Sequence, residues 1–259
     1  MSLKLKITNK YSESITLTQN KAFAVAQVTG LTPPAATINT APIATKDGSL
    51  FNSAFLENRN IVILLYPTGA PETQRVNLYK YLKAKQKIRL ELETKTRAVY
   101  IDGYIESLEG DLYENPQSLQ ASIICPDPYF KAKTPIVKNY ASASEEITNT
   151  SDEESGAVFE MTAAGAVVNP TITNDTTGES FTITYNLQTG DVITLNTRRG
   201  EKSLTLTRNG TTTNILNAMS PSSRWINVIP GANTISYTAA SGSADLALKM
   251  TLVPIFEGI

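Results

Sequence analysis

A single stretch of this chain reads as a helix, and this narrows the fold more than any other feature. From Thr73 to Lys87 there is no glycine or proline, and good helix formers dominate. Val76, Tyr79 and Leu82, with Leu78 beside them, recur at helical spacing. Pro71 and Glu72 suit the first turn, and Lys83, Lys85 and Lys87 suit the last, where the helix dipole favours cations. Elsewhere short apolar runs alternate with polar residues and end in turn dipeptides, the signature of half-buried strands. The expected fold class is mainly β.

At 259 residues the chain is long enough for two domains. In the first half, Leu3–Ile7 alternates, Ala22–Val28 is β-compatible, Gly30-Leu-Thr-Pro33-Pro34 breaks the chain, and Asp47-Gly48 marks a turn. Arg59–Tyr66 suits a buried strand, because its apolar run from Ile61 is continuous. After the helix, strands are expected at Ile88–Leu92, at Ala98–Leu108 with an interruption at Asp102-Gly103, and at Ser118–Cys125. Residues 141–259 hold 20 threonines and close-set turns such as Arg208-Asn209-Gly210, a strong two-residue hairpin signal. Six to eight short strands there suggest a β-sandwich or jelly roll. The halves also differ in charge: residues 1–140 carry 17 Lys and Arg against 12 Asp and Glu, and residues 141–259 carry 6 against 12. Between them Ala141–Gly156 is polar, acidic and poor in large apolar residues. The expected domains are 1–135, β-rich with the helix, and 156–259, a β-sandwich, joined by a linker over 136–155.

The sequence contains no histidine and one cysteine, Cys125. That excludes Ser-His-Asp and Cys-His catalysis, His-ligated zinc or iron, Cys₄ zinc and an intramolecular disulfide. No phosphate-cradling glycine loop and no Gly-x-Ser-x-Gly elbow occurs. Asp102 with Glu106 could form a carboxylate pair, but surface charge is the better reading. Asp152, Asp175 and Asp191 lack the spacing of a calcium loop. The cluster Lys80, Lys83, Lys85, Lys87 and Arg89 reads as a solvated helix end, with no aromatic platform for nucleic acid. Cys125, at a strand end before Pro126, reads as a small buried thiol. Trp225 reads as core, placed in a strand beside Ile226, although it or nearby tyrosines could stack on a sugar.

Met1–Asn20 alternates, unlike a signal peptide. The longest apolar run, Ile61–Tyr66, falls far short of the roughly 20 residues of a spanning helix. The sequence therefore predicts a soluble protein made in a cytosol, with no catalytic, cofactor-binding or metal-binding residue assigned, no cofactor, no specific nucleic-acid binding and no membrane partner. Its expected work is recognition or assembly; the alternative is a carbohydrate-binding or adhesion module without catalysis.

Several segments, in this order, resemble one family. They are Arg59-Asn60-Ile-Val-Ile, Arg75-Val-Asn-Leu in the helix, Arg97, Ile101-Asp-Gly103-Tyr104-Ile-Glu-Ser107, and Gln120-Ala-Ser-Ile-Ile-Cys125-Pro126-Asp127-Pro128-Tyr129-Phe130. In the second half come Trp225-Ile-Asn-Val-Ile-Pro230-Gly231-Ala-Asn233-Thr-Ile235 and Phe256-Glu-Gly258-Ile259. Together they are similar to the distal tail protein (Dit) family of long-tailed, non-contractile phages and prophages, especially those of Gram-positive hosts. The resemblance implies an N-terminal ring-forming domain with one helix and a hairpin, and a C-terminal galectin-like β-sandwich. It also implies a structural, non-enzymatic role as a hexameric ring at the virion tail tip. Its partners would be the tail tube protein, a tail-tip or tail-associated lysin-type protein, and receptor-binding or baseplate proteins.

Overall fold

The computed structural model describes residues 3–111 and 113–259. It divides into two compact units: Met1–Lys133 with Phe256–Ile259, and Thr134–Ile255. The protein is mainly β, and its strand pairs are antiparallel.

Unit 1 holds β1 (Lys4–Asn9), β2 (Ser14–Thr16), β3 (Phe23–Thr29), β4 (Ala36–Pro42), β5 (Ser49–Leu56), β6 (Arg59–Pro67), α1 (Pro71–Tyr79), β7 (Lys87–Glu93), β8 (Ala98–Glu109), β9 (Leu119–Cys125) and β10 (Phe130–Ala132). The main sheet runs β2-β1-β7-β8-β9-β6-β3, with β10 on β8. Alternate residues face the core, as in Leu5 and Ile7, Ile61 to Leu65 by twos, and Ile88 to Leu92 by twos. The outward positions of β1 and β7 carry opposite charges directly across from each other. Lys4 meets Glu93 and Lys6 meets Glu91, each at 3.2 Å, while Lys133 reaches both carboxylates at 2.7 and 2.8 Å. These pairs fit one register of the strands and place part of the first half's positive charge against acidic partners.

Two expectations for this unit change. The helix ends at Tyr79 and does not reach Lys87. Leu78 and Leu82 are buried, but Val76 and Tyr79 are exposed. The chain turns through Lys85, at φ +65°, because this stretch pairs with β8: the Lys85 amide donates to Ile105 O and the Ile105 amide to Gln86 O. Alternating Ile88, Leu90 and Leu92 can be buried only on a strand, so tertiary pairing overrides the helix propensity of Ala84–Lys87. Nor is β8 interrupted at Asp102-Gly103. A Cβ on Gly103 would lie 2.8 Å from Cys125 Sγ and 2.9 Å from Ile123 Cγ2, so glycine here gives β9 room rather than making a turn.

Unit 2 contains β11 (Ile136–Asn139), β12 (Ser144–Asn149), β13 (Ser155–Ala163), β14 (Val167–Asn174), β15 (Glu179–Thr182), β16 (Asn186–Leu187), β17 (Val192–Asn196), β18 (Ser203–Arg208), β19 (Thr211–Asn214), β20 (Asn227–Val228), β21 (Gly231–Ser241) and β22 (Leu246–Leu252). One sheet runs β11-β22-β13-β17-β18-β19 and the other β12-β21-β14-β15. Their inward residues, among them Phe159, Met161 and Leu248 from the first and Ile172, Phe181 and Ile235 from the second, share one core. The β18–β19 turn has Asn209 and Gly210 both at positive φ, as expected for this hairpin.

The stretch 136–155, expected to be a linker, is built into this sandwich as β11 and β12. Its acidity has a local structural use. Glu145 accepts from the amides of Ala141 and Ser142 and pairs with Lys138 at 2.8 Å, with the lysine contact foremost in holding its carboxyl down at about 2. Polar composition alone could not distinguish such a corner from a connector. Trp225 is also outside any strand; only Asn227–Val228 is extended there. The Pro230-Gly231-x-Asn233 motif is closed by its asparagine, whose Nδ2 donates to Ile229 O at 2.7 Å and Gly231 O at 3.0 Å.

Candidate self-association surface

From Ala22 to Thr45 the chain carries no charged residue, and from Gly48 to Leu56 none again; Lys46 and Asp47 lie between. In the fold these uncharged residues form β3, at the edge of the main sheet, and the β4–β5 hairpin. Among the described residues, β4 and β5 pair only with each other. Lys46, Asp47 and Gly48 lie in the turn at the hairpin tip.

The hairpin register sets Ile38 opposite Ala54 and Thr40 opposite Phe51 on one face. Thr37 opposite Phe55 and Ala41 opposite Leu50 form the other, with a bulge between. Ile38, Leu50, Phe51 and Phe55 are each more than half exposed. A two-stranded ribbon alone is marginally stable in water, and native edge strands are normally protected by charge, proline or cover. This hairpin has apolar side chains on both faces and, among the described residues, two unpaired edges. Such a surface is suited to another polypeptide, by strand addition and by burial of the aromatic residues.

The hairpin is set firmly at its base. Gly30, at φ +78°, is packed so closely on β6 that a Cβ would lie 2.1 Å from Asn60 O, so the entry to the hairpin accepts only glycine. Arg59, at the exit, is 2% exposed. Its Nη1 donates to Gly30 O at 2.6 Å and Thr32 O at 2.7 Å, its Nε to Pro128 O at 2.7 Å, and its Nη2 to Glu257 O at 2.5 Å. The guanidinium lies over the Phe130 ring at 4.5 Å. Four carbonyl dipoles thus solvate a charge that burial alone disfavours.

The residues weighed for chemistry do not meet in a site. Lys83, Lys85 and Lys87 are exposed, and Lys80 pairs with Glu13 at 3.8 Å. Burial alone would raise the Asp102 carboxyl, but Arg89 binds it at 2.8 and 3.0 Å and holds it low. Glu106 instead accepts from Ser122 at 2.7 Å. Asp191 is bound by Arg208, and Asp175 accepts from Ser236. Among the described residues no group of three His, Cys, Asp or Glu could hold a metal ion, and no helix is long and apolar enough to cross a membrane. Cys125 is fully buried, and burial pushes its thiol up to about 12. Trp225 packs on Phe181 at 5.2 Å while Lys202 covers its ring at 5.1 Å, an arrangement that fits the core reading better than a sugar platform. The residues alone showed only the turn at Asp47-Gly48, and the family resemblance implied a hairpin without placing its strands; the charge-free run that marks them was legible.

Residues 150–251 match the family model described as the siphovirus-type tail component, C-terminal domain. No curated protein is similar enough in sequence to count as a relative. Among solved structures, the Dit protein of phage SPP1 superposes with a TM-score of 0.74 at 15% identity, covering 97% of this chain and 99% of that one. The chain shares the fold of SPP1 Dit throughout, and residues 150–251 share the sequence pattern of the siphovirus-type tail component's C-terminal domain. SPP1 Dit is described as a paradigm of the hub adsorption apparatus in phages infecting Gram-positive bacteria. Components of the phage P2 baseplate in its activated conformation, with calcium and with strontium, superpose on this chain at TM-scores of 0.52 and 13% identity. Each comparison covers 97% of this chain and 98% of the other. Arg59, Pro128, Phe130 and Glu257, from segments far apart in sequence, meet at the hairpin base.

Proposed function

We propose that this protein is a structural hub of a siphovirus tail tip: a closed scaffold ring, hexameric by resemblance to the Dit family, formed by unit 1. The ring joins the tail tube to tail-tip, baseplate and receptor-binding proteins and carries out no catalysis. The observation that supports this reading best is the exposed, charge-free β4–β5 hairpin beside the open edge of β3, in a chain with the Dit fold. Hairpin and sheet edge are different surfaces. A contact between the hairpin of one copy and the edge of the next is heterologous, and such contacts close into rings when the rotation between copies permits. The protein would be synthesised in the host cytoplasm and end in the virion.

Light scattering across a concentration series, with and without the cognate tail tube protein, tests this reading. A mass several times that of one chain is expected, reached at lower concentration when the tube supplies a template. A single-chain mass throughout, with no complex on the tube, contradicts it.

A further inference from the structure

The stem of the hairpin is completed by residues far away in sequence. Phe256–Ile259 belongs to unit 1, although the whole of Thr134–Ile255 precedes it in the chain. Glu257 O takes the fourth Arg59 hydrogen bond. Gly258 O accepts from Arg97 Nη1, and the same guanidinium lies over the Phe256 ring at 4.3 Å. The Ile259 amide donates to Leu31 O at 3.2 Å, and Gly258 fits so closely that a Cβ would meet Pro33 Cδ at 3.1 Å. Leu31 and Pro33 lie shortly before β4, and Arg59, the first residue of β6, lies shortly after β5. The segment therefore packs on the stem at Leu31 and Pro33, next to the Gly30–Asn60 contact.

We infer that Phe256–Ile259 is a latch that fixes the direction of the β4–β5 hairpin, so that unit 1 becomes competent to assemble only after unit 2 has been synthesised. This rests on the reading of the hairpin as the self-association surface. In a nascent chain that has not reached Phe256, Arg59 lacks one carbonyl partner and the Leu31–Pro33 stem lacks its cover. The hairpin then swings on a loosened base, and an apolar ribbon without a fixed direction pays more ordering entropy on docking. The consequence is order in time: copies do not associate through unit 1 while unit 2 is still unmade.

The test compares the full chain with a chain ending at Ile255 and with full-length Gly258→Val, whose branched side chain pushes against Pro33 and Leu31 O. Hydrogen exchange is followed in peptides covering 30–58, with β9 and the core end of β6 as internal controls, and mass is measured in parallel. Both variants are expected to exchange about tenfold faster in the stem and hairpin while the control strands hold. Association is expected to weaken by about tenfold or more. Unchanged exchange in the stem overturns the latch, and so does equal loosening of the control strands in Gly258→Val, which would make the segment a general staple. If truncation unfolds unit 1, Gly258→Val alone decides the matter. A full-length protein that is monomeric at every concentration refutes the self-association reading, while its exchange pattern still decides the latch.

Discussion

Asp191 is 1% exposed and takes hydrogen bonds from Arg208 Nε at 2.8 Å, Arg208 Nη2 at 2.5 Å and the Gln188 amide at 2.8 Å. The arginine contacts hold its carboxyl below the ordinary 3.8. A depressed native value stabilises the fold fully above the unfolded value, and that contribution is lost as pH falls through the native one. Arg208→Met leaves the Asp191 carboxylate without its charged partner and should destabilise the fold near neutral pH. In denaturant titrations the gap between the two proteins should narrow as pH falls, because the variant's stranded carboxyl takes up its proton before the arginine-bound one does. A gap that does not change with pH would show that the pair does not carry the cost. Gly103 offers a second measurement. Gly103→Ala forces a methyl against Cys125 Sγ and should cost about 1–3 kcal/mol by overpacking. In a Cys125→Ala background the cost should fall, because one of the three close contacts has gone; strict additivity would contradict this. At this scale the sequence was partly legible. Cys125 could be read as a small buried thiol from its place at a strand end. The Asp191–Arg208 pair could not, because only the β17–β18 pairing brings two residues 17 apart in sequence together.

The strands that bury one face were legible because burial imposes alternation: β1, β7, β17 and β18 repeat their apolar residues by twos. β4 and β5 were not, for the same reason reversed. Among the described residues neither face of the hairpin packs into its own unit's core, so apolar and polar residues need not alternate, and Pro33, Pro34 and Pro42 suggest loops. The helix was found but set too long, since Lys80–Lys87 has helix-forming composition and only the pairing to β8 shows otherwise. A substitution on the hairpin therefore separates folding from assembly. Phe51→Glu with Phe55→Glu places one charge on each face at exposed positions, so stability should change by no more than about 0.5 kcal/mol per site. Association should be lost, since desolvating two unpaired carboxylates opposes docking. Thermal unfolding and light scattering on the same samples read both effects; an unfolded variant or an undiminished mass would each count against the assignment.

At the scale of the whole molecule the chain leaves unit 1 at Lys133 and re-enters it at Phe256. A division into successive segments, with 1–135 acting alone, omits the residues that hold Arg59 and Arg97. We propose instead that Thr134–Ile255 folds alone as a monomeric β-sandwich, while Met1–Lys133 alone is weakened by the loss of Phe256–Ile259. Circular dichroism with thermal melts of both pieces tests this. A cooperative melt is expected from the sandwich, and a lower melting temperature from Met1–Lys133 than from the same piece joined to Phe256–Ile259 by a short linker. Equal melting temperatures would contradict it. The sequence showed two β-rich parts and a charge difference between halves, but not this interleaving, because only the Arg59 and Arg97 contacts reveal that four residues belong to a unit that ended more than a hundred positions earlier. In our proposal the hairpin of unit 1 closes copies of the chain into a ring. Negative-stain imaging of the intact protein beside Phe51→Glu with Phe55→Glu tests it most directly: rings with a central channel from the first and single particles from the second are predicted, whereas particles without rings from both, or the same rings from both, would contradict it.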